Sequence, residues 1–268
     1  MVFSLTTQNK IYQTVQFSPS ISIGKVQANT LNGEQVGVPQ PQLGCISVVP
    51  LVNTNNNLAA AVAAPTSASY ISLTAGAGVT AVPGVYNVFT NTTDTIYFFD
   101  IPRAVTITLG AGATPTIFTV WGFDEDNVFM TEQISAVASA TTSGKKAFAG
   151  VTRVWAAGAT VTVVSIGTSG IIGLPYVLDN VNRIMGTGNY GTGNAFGAIG
   201  ALYTVADITN PATAITGDVR GTVNLTSLTI DSIKRFSVAW IMAALPFEVS
   251  QQTYTTVYGV PQYAAPYN

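Results

Sequence analysis

The chain contains no histidine and a single cysteine, Cys45, and it is poor in charge: ten Lys/Arg and twelve Asp/Glu make up 8% of its 268 residues. The missing histidine removes Ser-His-Asp and Cys-His catalysis, imidazole general bases and the commonest metal ligand together. One cysteine permits no intrachain disulfide and excludes a cysteine-based structural zinc site. Soluble domains usually carry about 25% charged residues, so Thr, Ser, Asn, Gln and the backbone have to supply most of the polar coat here. Such a surface repels neighbours weakly and is readily buried against other subunits. The net charge is −2, and the only basic neighbours are Lys145-Lys146 and Lys234-Arg235. Phosphate neutralisation needs clustered Lys and Arg. Both pairs read as solvated loop or strand-end charges, and direct nucleic-acid contact is not expected.

No stretch approaches the roughly 18–20 consecutive apolar residues of a membrane helix. Met1 to Lys10 lacks the basic-then-apolar order of a signal peptide. The expectation is a protein made and assembled in a cytoplasm, with no membrane partner. The hydrophobic fraction of 47% argues against disorder, which requires low hydrophobicity and high net charge.

What the chain does have is alternation of period two. Thr106 to Leu109, Thr116 to Trp121, Thr160 to Val164 and Thr222 to Thr226 place Thr opposite Val, Ile or Leu. Gly, Pro and Asn clusters bound each run, which is the signature of half-buried strands. Turn residues recur at Asn32-Gly33, Pro83-Gly84, Gly110 to Gly112, Asp124 to Asn127, Ser143-Gly144 and Gly167 to Gly170. Breaks this frequent fit an all-β fold of β-sandwich or jelly-roll type. The one helix the residues suggest is Leu58 to Ala64, with Asn55 to Asn57 as caps and Pro65 as stop.

Three segments follow. Residues 101–174, with strands expected near 105–109, 116–123, 128–136, 145–155 and 160–166, form an immunoglobulin-like β-sandwich unit, and Thr119 to Ile134 is a hairpin around Asp124 to Asn127. Residues 1–100 are an N-terminal arm and β segment, including the Pro39-Gln-Pro41 stretch. Residues 175–268 are a C-terminal β segment expected to pack with the N-terminal part. Its Tyr254, Tyr258, Tyr263 and Tyr267 either dock on a partner or belong to an edge strand and frayed end.

Carboxylates remain as candidate chemistry. Glycoside hydrolysis needs two acids a short distance apart, and the close sets are Asp124/Glu125/Asp126 and Asp94/Asp100. The first set reads better as a turn in which Asp and Asn hold local backbone donors. Calcium at Asp124 and Asp126 is chemically open, although the EF-hand pattern is missing. Gly186 to Gly191 matches G-x-G-x-x-G without the βαβ frame a dinucleotide site needs, and reads as a surface loop. The sequons at Asn91 and Asn224 read as coincidence in a Thr-rich chain. Trp121, Trp155 and Trp240 sit in strand patterns and read as core, which weighs against a glycan platform. No catalytic residue, cofactor or metal site is assigned.

Between Thr116 and Pro175 the strings TIFTVWGFDEDNVFMTEQIS and KKAFAGVTRVWAAGATVTVVSIGTSGIIGLPY resemble a pattern in virion structural proteins of tailed bacteriophages. There a hairpin of the form GTDxxGxxxTE precedes KxFxxVTxV and ends in G…LGLPY. ATAITGDVRGTV, Ala212 to Val223, resembles the later part of such chains. This chain departs at Phe123 to Asp126, where the usual turn carries glycine. The resemblance implies a virion location and no chemistry. Its first expectation is a capsid decoration or cement protein, a homo-oligomer with a trimer favoured, whose partners are the major capsid protein or neighbouring copies. A jelly-roll major capsid protein, a tail fibre or spike module for host recognition, and a carboxylate-dependent hydrolase stay open beside it.

Overall fold

The computed structural model describes residues 10–16, 42–63, 65, 67–87, 92–158, 163–188, 202–207, 209, 212–226, 230–241, 256–257 and 260–261. Its first strands are β1 (Lys10–Gln16), β2 (Gln42–Val48), β3 (Ala59–Ala63), β4 (Ser69–Tyr70) and β5 (Val79–Asn87). Five longer elements follow: β6 (Thr92–Leu109), β7 (Thr116–Phe123), β8 (Phe129–Ala136), β9 (Thr141–Ala156) and β10 (Val163–Gly173). After a 3-10 turn at Val181–Arg183 come β11 (Ile184–Gly188), β12 (Tyr203–Thr204), β13 (Thr222–Asn224) and β14 (Phe236–Ile241). β15 (Thr256–Val257) and β16 (Val260–Pro261) form a small ladder. The protein is all-β, and no helix among the described residues is long and apolar enough to cross a membrane.

A ten-stranded sheet runs β12-β13-β10-β6-β9-β7-β8, with β3, β4 and β5 pairing alongside β10, β9 and β6. A four-stranded sheet runs β1-β2-β14-β11. The Thr/apolar alternation explains the first sheet. In β6, Val105, Ile107 and Leu109 point into the core while Thr106 and Thr108 take the other face. Phe118 and Val120 of β7, Met130 and Ile134 of β8, and Phe148, Val151 and Val154 of β9 close the same core. The second core joins β2 to β14 through Ile46, Val48, Phe236, Val238 and the fully buried Trp240. β6 and β10 reach both cores, since Ile101 and Ile172 lie in the second while Ile107 and Ile166 lie in the first.

The hairpin expected around Asp124 to Asn127 is present, with Phe123 opposite Phe129 and their rings edge to face at 5.7 Å. The helix expected over Leu58 to Ala64 is not. Residues Ala59–Ala63 pair with β10, Ala63 opposite Val163 and Ala59 opposite Ile166. An Ala-rich run of this length is marginal as a helix. The edge of β10 offers it ladder bonds instead, among them Leu58 N–H donating to Ile166 O at 2.9 Å. Ala61 absorbs the irregularity at φ 46°, and its N–H donates to the Ser165 hydroxyl at 3.0 Å. The Asn32-Gly33 turn and the Pro39 to Pro41 stretch lie outside the described residues, as do Tyr254, Tyr258, Tyr263 and Tyr267.

The Asn-rich turn ahead of β3 crosses β10 at Gly167. A Cβ there would overlap the carbonyl of Thr54 and the backbone of Asn55 and Asn56. Thr168 N–H donates to Thr54 O at 2.8 Å, and Asn57 Nδ2 donates to Thr168 Oγ1 at 3.0 Å. Gly167→Ala is expected to push this turn off the sheet and lower stability by about 1–3 kcal/mol, the usual cost of overpacking. Thermal unfolding of the variant checks this.

Candidate functional site

Six charged side chains, Arg103, Asp124, Glu132, Lys146, Asp218 and Arg220, are buried. Between Ala104 and Thr106 of β6 only Val105 intervenes. The facing stretch of β9, between Ala147 and Ser143, holds Gly144, Lys145 and Lys146. This bulge removes backbone donors from the ladder, and buried N–H groups must be paired elsewhere. Glu132 of β8 accepts from Lys145 N–H in a short hydrogen bond and from Lys146 N–H at 3.3 Å. Asp218 Oδ2 accepts from Ala147 N–H at 3.0 Å. Gly144 leaves the space the Glu132 carboxylate fills, because a Cβ there would overlap Oε2.

Lys146 completes the arrangement from the opposite sign. Its Nζ donates to the carbonyl of Thr131 at 2.9 Å and to that of Thr213 in a shorter bond. Of the basic pair Lys145-Lys146, Lys145 is exposed as expected, but Lys146 is not solvated: it is 0% exposed and Glu132 1%. The expectation failed because the bulge turns Lys146 inward beside Phe148. Lys234 behaves as expected, partly exposed and paired with Asp231 at 3.2 Å.

The β7–β8 turn feeds the same network. Asp124 Oδ1 accepts from the N–H groups of Asp126 and Val128 at 2.9 and 2.8 Å, the local role expected of a turn aspartate. Its other oxygen faces Arg220 Nη2 at 3.0 Å, and Arg220 Nη1 donates to Asp126 at 2.8 Å. A guanidinium thus occupies the place where calcium between Asp124 and Asp126 was left open. Asn127 takes φ 60°, the left-handed conformation that glycine adopts most easily and asparagine tolerates. Gly122 is needed for contact, since a Cβ would overlap the carbonyl of Gly150 on β9. Asp218 and Arg220 lie on one segment, which Gln133 N–H donating to Ala214 O at 2.8 Å also holds to β8.

The other candidate pair, Asp94 and Asp100, divides between two arginines. Asp94 takes Arg153 at 2.5 Å. Asp100 takes Arg103 Nε and Nη2, both at 2.7 Å. Arg103 is buried at a second irregularity of the β6–β9 ladder, between Phe98 and Arg103. It also donates to the carbonyls of Leu51 at 2.6 Å and Ser169 at 3.3 Å.

Of the three tryptophans only Trp240 is core, with Nε1 donating to Val177 O at 3.0 Å. Trp121 and Trp155 are half-buried, on the face of β7 and β9 turned away from the core. Tyr70, 59% exposed, lies 6.1 Å from the Trp121 ring with Arg153 over its own ring at 5.7 Å. Gly186 and Gly188 are in β11, while Gly191 and the stretch beyond it lie outside the described residues, as does Asn91. Asn224 accepts from Thr226 N–H at 2.9 Å.

Burial raises Glu132 from 4.5 to about 7, against the Lys145 amide and the Lys146 charge. Burial lowers Lys146 from 10.5 to about 8, against Glu132, Asp218 and Asp207. Asp124 is raised by burial, with Arg220 opposing. A carboxyl titrating near neutrality suits general acid–base work. In this arrangement, however, Glu132 and Lys146 are both closed to solvent, Glu132 accepting from the Lys145 and Lys146 amides and Lys146 donating to the Thr131 and Thr213 carbonyls. The period-two reading held a signal for Glu132, which falls between Met130 and Ile134 on the inward face of β8.

Linkage sets a pH dependence. Between pH 4.5 and about 7 the native state keeps a proton on Glu132 that the unfolded chain has released, so stability falls as pH rises. Between about 8 and 10.5 the native state has lost a proton from Lys146 that the unfolded chain keeps, so stability rises with pH. Unfolding measured across pH will show a minimum near 7–8 from this pair. Glu132→Gln will remove the lower limb, so that the variant's unfolding no longer changes with pH between those limits.

No protein-family model, no curated protein and no solved structure matches the chain.

Proposed function

We propose that this chain is a structural protein of a tailed-bacteriophage particle, located in the virion after assembly in the host cytoplasm. Within that class it is a capsid decoration or cement protein, bridging subunits of the major shell. One observation carries the reading. Polar positions of the resembling pattern depend on one another in this fold: Glu132, Lys146 and the Thr131 carbonyl meet Thr213 and Asp218 at the β9 bulge, and Asp124 faces Arg220. Directly after the departure at Phe123 to Asp126, Asn127 takes the left-handed backbone conformation that glycine adopts most easily. Two short strings far apart in sequence are thus held together by the residues that make them resemble the phage pattern.

The surface supports the same reading. Beside a few charges such as Lys145, Asp179 and Arg235, the exterior carries hydroxyls, amides and scattered apolar groups such as Tyr70, Ile215 and Ile233. Such surfaces suit close packing between subunits. In this proposal residues 101–174 form an immunoglobulin-like unit of a sandwich or jelly-roll-type protein. The flanks, 1–100 and 175–268, pack together, a division supported by the pairing of β2 with β14. The oligomer is a trimer.

Sedimentation velocity of the purified chain, alone and with phage shells lacking it, tests this. The expected result is a discrete small oligomer that binds the shells and raises their resistance to heat or low salt. Large closed particles formed by the chain alone would mean a major capsid protein instead. A monomer that ignores shells would end the capsid reading and favour a tail module for host recognition.

A further inference from the structure

We propose that the cleft between the Asn53 to Asn56 turn and the sheet beneath it is a binding site for a neutral saccharide. The cleft has a volume of about 410 Å³, and every residue lining it is Asn, Thr or Ser. That volume falls in the roughly 300–1,000 Å³ range of small-ligand sites. Its floor is the row where Thr106 of β6 stands between Ser143 of β9 and Gly167 of β10. Its wall is the turn that Gly167 admits and that the Thr168 amide and the Asn57 side chain fix in place.

The chemistry of this lining is selective by what it offers. No charged side chain is present to neutralise a phosphate, a carboxylate or a cation, and no aromatic ring is present to stack on a flat apolar ligand. Hydroxyls and primary amides both donate and accept, which matches a ligand whose own hydroxyls do the same. Two hydroxyl oxygens buried in the lining, Thr54 Oγ1 and Thr106 Oγ1, have no hydrogen-bond partner, and Thr106 is only 4% exposed. Buried polar atoms are ordinarily paired, so these two mark where a partner from outside the chain belongs. The Thr106–Ser143 floor borders the bulge that Glu132 closes, and the site does not depend on any role in a particle.

Isothermal titration and saturation-transfer NMR on the full chain, with a panel of neutral methyl glycosides and neutral disaccharides, test the proposal. The expected result is saturable binding of at least one of them, unchanged by added salt because no ion pair is involved. Thr106→Val should weaken that binding about tenfold, the order of one lost hydrogen bond, and Ser143→Ala should weaken it as well. Thr106→Val should unfold at the same temperature as wild type or higher, because the hydroxyl it removes has no partner, which separates lost binding from lost folding. No binding by any neutral saccharide would overturn the proposal, leaving a cleft that holds water only. Binding left intact by Thr106→Val and Ser143→Ala, or confined to anionic ligands and abolished by salt, would overturn it equally.

Discussion

The bulge of β9 at Gly144 to Lys146 is the constraint around which this fold is arranged. Three residues facing one leave amide groups in the middle of a buried sheet without ladder partners. An unpaired buried N–H costs about as much as a lost hydrogen bond. Neutral side chains would satisfy them weakly, whereas a carboxylate makes charge-assisted bonds of about twice the strength. Glu132 and Asp218 provide these bonds from two different parts of the chain, so closing the bulge also fixes where β8 and the segment after β12 must lie. Two carboxylates cannot be buried without compensation. Lys146 and Arg220 supply it, each reaching a further element as it does so.

This pattern accounts for the composition. A chain with so few charges spends several where the backbone departs from regular pairing: Glu132, Asp218 and Lys146 at one bulge, Arg103 and Asp100 at another, Asp124 and Arg220 at the β7–β8 turn. Breaking any one of these leaves an uncompensated charge in the interior, which is far more costly than the loss of a surface ion pair. The exterior is left with few charges and many hydroxyls and amides, which bind water and repel a neighbour only weakly. That combination of a stiff interior and a weakly charged surface is what the proposed role in a particle would use.

Much of the architecture was legible because its signal is local. Thr106 and Thr108 alternate with Val105, Ile107 and Leu109 in β6 since one face meets the core and the other does not, and Asp124 to Asn127 carry the turn chemistry themselves. The misread elements depended on distant partners. Leu58 to Ala64 has helix-like composition, and only the open edge of β10 makes it a strand. Trp121 and Trp155 sit in strand patterns, but on the outward side, which Tyr70 partly covers. Lys146 looked like one half of a basic surface pair because nothing next to it in sequence announces the bulge. Glu132 was the readable exception, a charge at an inward position between Met130 and Ile134. The cleft under Asn53 to Asn56 was invisible, since its lining comes from residues far apart in the chain.

Native-state hydrogen exchange at the amides of Lys145, Lys146 and Ala147 tests the central claim most directly. If the buried carboxylates close the bulge, these three amides exchange as slowly as those of Phe118 and Val120 in the core. Glu132→Ala then releases Lys145 and Lys146 while leaving the Phe118 and Val120 protection tied to global stability. Fast exchange of the three amides in the wild-type protein, or no change at Lys145 and Lys146 in Glu132→Ala, would contradict the account.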